Sequence, residues 1–209
     1  TNPFDHITQP EDQIRYICTE AQDFFAELIE RKPEEVDISV MRYDPYKQKW
    51  YFVAITTGPR RHTDPARLMK EHSIAHHCVN GRTELFVADK RSAEREKTYF
   101  MSEKDKHFKC IGSAFCSFLW VATTPEGTDD REANQFVVSF VTYGAQVCES
   151  FDHQAEECIK PLFREFVKRI ELECTLLVLK KWRENHQKEN KKNRKTRKGG
   201  GDHAEDYAS

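Results

Sequence analysis

The stretch from Asn80 to Asp89, NGRTELFVAD, reads as a helix stop, a short apolar strand and an acidic strand end. The stretch from Ile111 to Val121, IGSAFCSFLWV, reads as a small-residue turn (Gly112, Ser113, Ala114) opening a second strand. Asn-Gly halts a helix because both residues tolerate left-handed backbone. The near-continuous apolar run after Gly112 fits an interior strand covered on both faces. Between the two strands, Lys90 to Lys109 is a long polar connection holding Tyr99, Phe100 and Met101 between charged flanks. It is expected to be partly helical or to pack as a lid, since connections of this length in compact domains are usually functional or mobile.

Upstream, Ile14, Ile17, Cys18, Ala21, Phe24, Phe25, Leu28 and Ile29 recur at three- and four-residue steps, predicting a helix from Glu11 with Pro10 in its first turn. Arg31 and Lys32 suit its end and Pro33 stops it. Val36 to Tyr43 alternates, with Val36, Ile38, Val40 and Arg42 on one side. Trp50 to Thr57 is β-branched and aromatic, so the two form a hairpin about Asp44-Pro45. Asp64-Pro65 caps a helix carrying Leu68, Met69, His72, Ile74, Ala75 and Cys78. Downstream, Phe136 to Val147 is the partner strand of Ile111 to Thr124, across an acidic tip at Thr128 to Ala133. Cys158 to Val178 then keeps a helical period as far as Trp182, with Ser150 or Asp152 as cap and Pro161 as an early-turn residue or a kink.

A chain of 209 residues supports one real core, with appendages. The organisation expected is a loose lead-in over 1–10, one domain over 11–183, and a disordered tail over 184–209 that is basic and then acidic. Net charge is −2, yet Lys180 to Lys198 holds ten Lys/Arg against two Glu, which leaves the remainder near −10. The cluster at Lys191 to Lys198 is open to three readings: contact with nucleic acid or an anionic surface, a solvated tail, or a localisation signal. It lacks interleaved aromatics, so base stacking is not indicated. The seven cysteines form no CxxC pair and several sit in apolar periodic segments, as reduced buried thiols of a cytoplasmic protein would. No secretory leader is visible, and the chain opens on Thr1 without Met, so an upstream segment removed in processing is compatible with it. No apolar run approaches the roughly 20 residues a membrane helix needs.

The order helix, two strands, helix, short strand, long connection, two strands, long helix resembles a GAF domain, with PAS-like and profilin-like folds as the alternatives. The resemblance spans Asp12 to Trp182 and is carried by the helix-Asn-Gly-strand-Asp run (Ser73 to Asp89) and the Gly-Ser-Ala-strand-turn-strand run (Gly112 to Tyr143). It implies an α+β fold: an antiparallel sheet of about five strands, N- and C-terminal helices on one face, and a ligand-covering segment on the other. With strand alternation, it implies a small-molecule pocket lined by Phe52, Ala54, Leu85, Val87, Asp89, Tyr99, Ser113, Phe115 and Ser117. The same residues are also what an ordinary core would contain. The chain departs from the family pattern at Asn134-Gln135-Phe136, where a Gly-hydrophobic opening is usual, and at the acidic tip before it.

His72, His76, His77 and Cys78 form a metal-like cluster, with His72 and His76 one helical turn apart so that both could face one ion and Cys78 as a softer third ligand. The reading preferred is a helix end with solvent-facing histidines and no metal. One GAF subfamily reduces methionine sulfoxide with pocket cysteines, and Cys78, Cys110 and Cys116 raise that reading, although their spacing differs from that subfamily's. No bilin-attachment context, Gly-rich phosphate loop, Ser-His-Asp set or paired-carboxylate site can be singled out, and the sequence names neither ligand nor cofactor. Terminal helices of GAF-like modules commonly pair across a dimer. The surplus apolar surface of the last helix, with Phe163, Phe166, Ile170, Leu177 and Trp182, points to a homodimer or to a thick helix pair within one chain. The expectation is a non-catalytic sensor or regulatory domain. The rivals are the thiol reductase and a pocketless protein- or nucleic-acid-binding module.

Overall fold

Val36, Ile38 and Val40 alternate with Asp37 and Ser39 along β1 (Val36–Asp44), which buries the apolar set and sits next to the middle of a five-stranded antiparallel sheet. The computed structural model describes residues 9–56, 64–70, 72–121, 134–148 and 153–198. With β2 (Lys49–Ile55), β3 (Glu84–Val87), β4 (Ala114–Trp120) and β5 (Gln135–Thr142), the strand order is β2-β1-β5-β4-β3. The expected α+β class, five strands and helix placement are those observed. β5 lies at the centre and β4 beside it, which is why both read as nearly unbroken apolar runs.

One face is closed by α1 (Pro10–Leu28) and α6 (His153–Lys198). They run antiparallel: Gln9 hydrogen-bonds Lys180, Arg169 reaches Glu20 at 2.5 Å, and the Phe24 and Phe166 rings lie 5.5 Å apart. Beneath them the Phe163 ring stacks between Phe25 at 4.3 Å and Phe115 at 4.8 Å. This dry, aromatic layer is the main core, and each such side chain fully buried contributes about 1.5–3 kcal/mol.

The five residues expected at a dimer seam divide between the chain's own core and its surface. Phe163, Ile170 and Leu177 are fully buried within their own chain, and Phe166 is half-buried against Phe24 and Phe25. Of the five expected, only Trp182 is exposed, together with Leu172, Leu176 and Leu179. The helical period also outlasts the apolar residues. α6 continues to Lys198, so 184–198 is helix backbone and not tail, and Pro161 lies well inside it. The lead-in over 1–8, the acidic tip, the caps at Ser150 and Asp152 and the residues after Lys198 lie outside the described residues, as do the side chains of Lys191 to Lys198.

The opposite face is closed by α3 (Ile74–Gly81) and by the connection after β3, which folds as α4 (Lys90–Arg95) and α5 (Glu103–His107). Met41, Ala114, Cys116 and Val137 of the sheet meet Ile74, Ala75, Cys78, Ala93 and Tyr99 there. The single helix expected from Asp64 divides into α2 (Pro65–Leu68), capped by Asp64 as read, and α3, capped by Ser73. The break is at His72, whose φ of 71° no helix accepts. α3 ends on Arg82 in the left-handed region, one residue past the expected Gly81. α1 ends at Leu28 with no basic residue in its last turn; Arg31 instead donates to the Gly144 carbonyl at 3.1 Å.

Candidate functional site

α5 begins with a capping box. The Ser102 hydroxyl accepts from the Asp105 N–H, and the Asp105 carboxylate accepts from the Ser102 N–H at 2.8 Å and its hydroxyl at 2.6 Å. This fixes Asp105 facing the sheet, fully buried. Asp89 caps α4 through the Arg91 N–H, so Lys90 leads the helix and its side chain enters the same space. Its ammonium donates to Asp105 at 2.5 Å and to the Thr142 carbonyl at 2.7 Å, and neither charged side chain touches solvent. The Tyr99 hydroxyl bonds the same carboxylate at 3.2 Å.

Two cations flank the Tyr143 ring, Lys90 at 4.1 Å and Lys104 at 4.2 Å, while its hydroxyl bonds Asp37 and Ser102. Lys104 also donates to Asp37 at 2.9 Å. These groups tie α4 and α5 to β1 and β5. Burial lowers the Lys90 pKa, opposed by the Asp105 charge, and burial raises those of Tyr99 and Tyr143 well above the usual phenol value. Gly112 makes room for this packing. At φ 144° a Cβ would stand 2.0 Å from the Thr142 carbonyl oxygen and 2.8 Å from Lys90 Cε.

The nine expected pocket residues do not share one space. Leu85 and Val87 face the covered side, and with Asp89 they line an open groove of about 510 Å³ along β3 and α4. Tyr99 belongs to the ion network. Ser113 donates to the Ala88 carbonyl at 2.7 Å and accepts from the Val147 N–H. Phe115 points to the helix layer, stacked on Phe163, and Ser117, two residues on, takes the same side of β4. Phe52 and Ala54 part company at a bulge: Val40 pairs with Ala54 but Met41 with Phe52, so Val53 is an extra residue. Ala54 therefore joins the helix-side core and Phe52 the covered side.

The metal reading fails on geometry. His76 Nδ1 lies 3.0 Å from the Met69 carbonyl, and its Nε2 receives the Asn80 amide at 2.8 Å, so both nitrogens are used. His72 lies outside the helix, bonded to the Lys97 carbonyl at 3.2 Å, and the Cys78 thiol donates to the Thr83 carbonyl. Among the described residues no group of three or more His, Cys, Asp or Glu could hold a metal ion.

All seven cysteines are free thiols. Cys78 is held protonated by its contact with Cys116 and by burial, and Cys110 is pushed up by burial and the Asp105 charge. A nucleophilic thiol needs the opposite setting.

Nothing in the sequence singles out Lys90 and Asp105. The only local signal is the Ser102-x-x-Asp105 box, which marks a helix start and says nothing of a buried partner fifteen residues upstream.

Among the described residues no helix is long and apolar enough to cross a membrane. No family model and no curated protein matches the chain. Among the solved chains that share its outline are these two. One is the GAF3 domain of Slr1393 from Synechocystis sp. PCC6803 in its photoproduct state, at TM-score 0.47 and 10% identity over 86% of this chain and 99% of that one. The other is residues 122 to 287 of a methyl-accepting chemotaxis protein, at TM-score 0.44 and 16% identity over 81% and 92%. In its own element order and sheet arrangement the fold of this chain is GAF-like.

Proposed function

We propose that the chain is a non-catalytic regulatory module of GAF type, which takes a small molecule in the groove along β3 and passes the event to a homodimer formed through its helix layer. The observation that carries the proposal is the apolar stripe on α6. Leu172, Leu176 and Leu179 are 59%, 43% and 43% exposed at four- and three-residue steps, followed by Trp182 at 41%. That spacing is the seam of a helix pair, and a lone helix gains nothing from exposing it.

The groove has the size of a metabolite site and an apolar floor with polar walls, including Leu85, Val87, Ile74, His77 and Thr98. It is joined to the seam-bearing helix through Arg164, whose Nε donates to both Glu84 oxygens at 2.9 and 3.1 Å. A ligand that shifts β3 would therefore bear on α6. Light scattering at micromolar concentration and melting shifts across a metabolite panel test the two halves. A monomer with no ligand-induced shift would sink both.

A further inference from the structure

The outer side of the cover carries charge that neither the groove nor the helix stripe uses. Where α4 and α5 face each other, an open cleft of about 710 Å³ is lined by Arg91, Arg95, Lys106 and Lys109, with Asp89 and Glu94 as its carboxylates. These do not balance the cations. Asp89 is engaged in capping α4, accepting from the Arg91 N–H and the Ser92 hydroxyl. Lys106 is paired with Glu103 on the exposed side at 2.6 Å, and Arg95 leans on Ser92 and the Arg91 carbonyl.

Arg91 and Lys109 remain. Arg91 Nε donates to the Lys109 carbonyl at 2.8 Å, which fixes the guanidinium against the end of α5. Among the described residues, no acceptor meets the remainder of that guanidinium or the Lys109 ammonium. Lys109 and Cys110 are consecutive non-glycine residues at φ 55° and 56°, a conformation costing on the order of 1 kcal/mol each. The buried Lys90–Asp105 pair holds the two helices in place from below, so the cations are positioned before any ligand arrives.

We propose that this cleft binds a compact polyanion, a free phosphate or pyrophosphate group, at a site that meets the groove along β3 only at Asp89. A fixed guanidinium presents paired N–H donors that match phosphate oxygens, and an ammonium beside it adds a point charge. The ligand would bridge α4 and α5 and so fasten the cover from outside.

The test is titration of the full chain with inorganic pyrophosphate at constant ionic strength, read by calorimetry and by thermal unfolding. Saturable binding is expected, weakened about tenfold or more in Arg91→Gln/Lys109→Gln. Both side chains are exposed, so the unliganded melting temperature of that variant serves as its folding control. A shift that never saturates and follows added potassium chloride equally, or equal binding by the double variant, overturns the proposal. A parallel arm uses phosphatidylcholine vesicles containing phosphatidylserine. Retention on these without saturable pyrophosphate binding would assign the cations to a lipid surface and overturn it as well.

Discussion

Lys90 and Asp105 meet at 2.5 Å with neither side chain in contact with solvent, one opening α4 and the other in the first turn of α5. A buried pair of this kind is judged by what happens when one partner is lost. Lys90→Met leaves a desolvated carboxylate and should cost about 3–5 kcal/mol. Lys90→Met/Asp105→Asn should cost clearly less than the sum of its single changes, because the orphaned charge is gone. Urea unfolding of the four proteins measures the coupling, and additive losses would mean that the two charges do not act on each other.

The tyrosines around this pair give an alkaline signature. Burial holds Tyr99 and Tyr143 well above the ordinary phenol value of 10.0. Above about pH 10 the unfolded chain loses these protons while the folded one keeps them, so folding stability falls as pH rises through that point. Tyr99→Phe/Tyr143→Phe should flatten the fall, in denaturation curves taken across the alkaline range. Lys90 acts in the opposite sense. Its lowered pKa means that the folded protein releases a proton first, and raising pH between its folded value and 10.5 relieves a penalty.

Gly112→Ala should be among the most damaging single-methyl changes in the chain, at about 3 kcal/mol or more. Its Cβ would stand 2.0 Å from a main-chain oxygen at a φ of 144°. Gly81→Ala is the contrast. It ends a helix, and its Cβ would meet only the Thr83 methyl at 3.1 Å, so the change should stay within about 1 kcal/mol of wild type. Equal thermal shifts for the two would contradict the backbone argument.

Two positions on α6 separate folding from association. Phe163→Ala removes the middle ring of a three-ring stack and should cost about 3–5 kcal/mol. Leu176→Glu lies on the exposed stripe and should change unfolding of the single chain by only about 0.5 kcal/mol, while abolishing any dimer seen by light scattering. If Leu176→Glu unfolds the chain instead, the stripe is core.

Thiol labelling sorts the cysteines. Cys158 is exposed and should alkylate at once in the native protein. Cys18, whose thiol is pushed up to about 12 by burial, and Cys78, Cys116 and Cys174 should label only on unfolding, as intact-mass measurement would show. Rapid native labelling of Cys78 or Cys116 would revive the reductase reading.

The layers were legible because periodicity reports burial. Ile14, Ile17, Cys18, Ala21 and Phe25 recur on one helix face, and Val36, Ile38 and Val40 on one strand face, and that is where they pack. The pocket was less legible because alternation carries a face assignment only until a bulge, and the extra Val53 separates Phe52 from Ala54. His72 and His76 do not stack one turn apart, because that spacing assumes an unbroken helix and His72 breaks it. The ion network had no pattern to find. A lysine and an aspartate in a polar connection look solvated until the tertiary structure removes the water.

Gln9 of the residues leading into α1 lies against Lys180, near where α6 runs out past the sheet. The entry into α1 thus meets α6 at Lys180, eighteen residues before that helix ends. The antiparallel contacts Glu20–Arg169 and Phe24–Phe166 lie between that meeting point and the body of the domain. A pull or twist on either end is first felt as shear between two helices, with many contacts loaded together, and not as peeling of one strand from the next. A segment joined ahead of α1 would bear on the α1–α6 pair before it bore on the sheet.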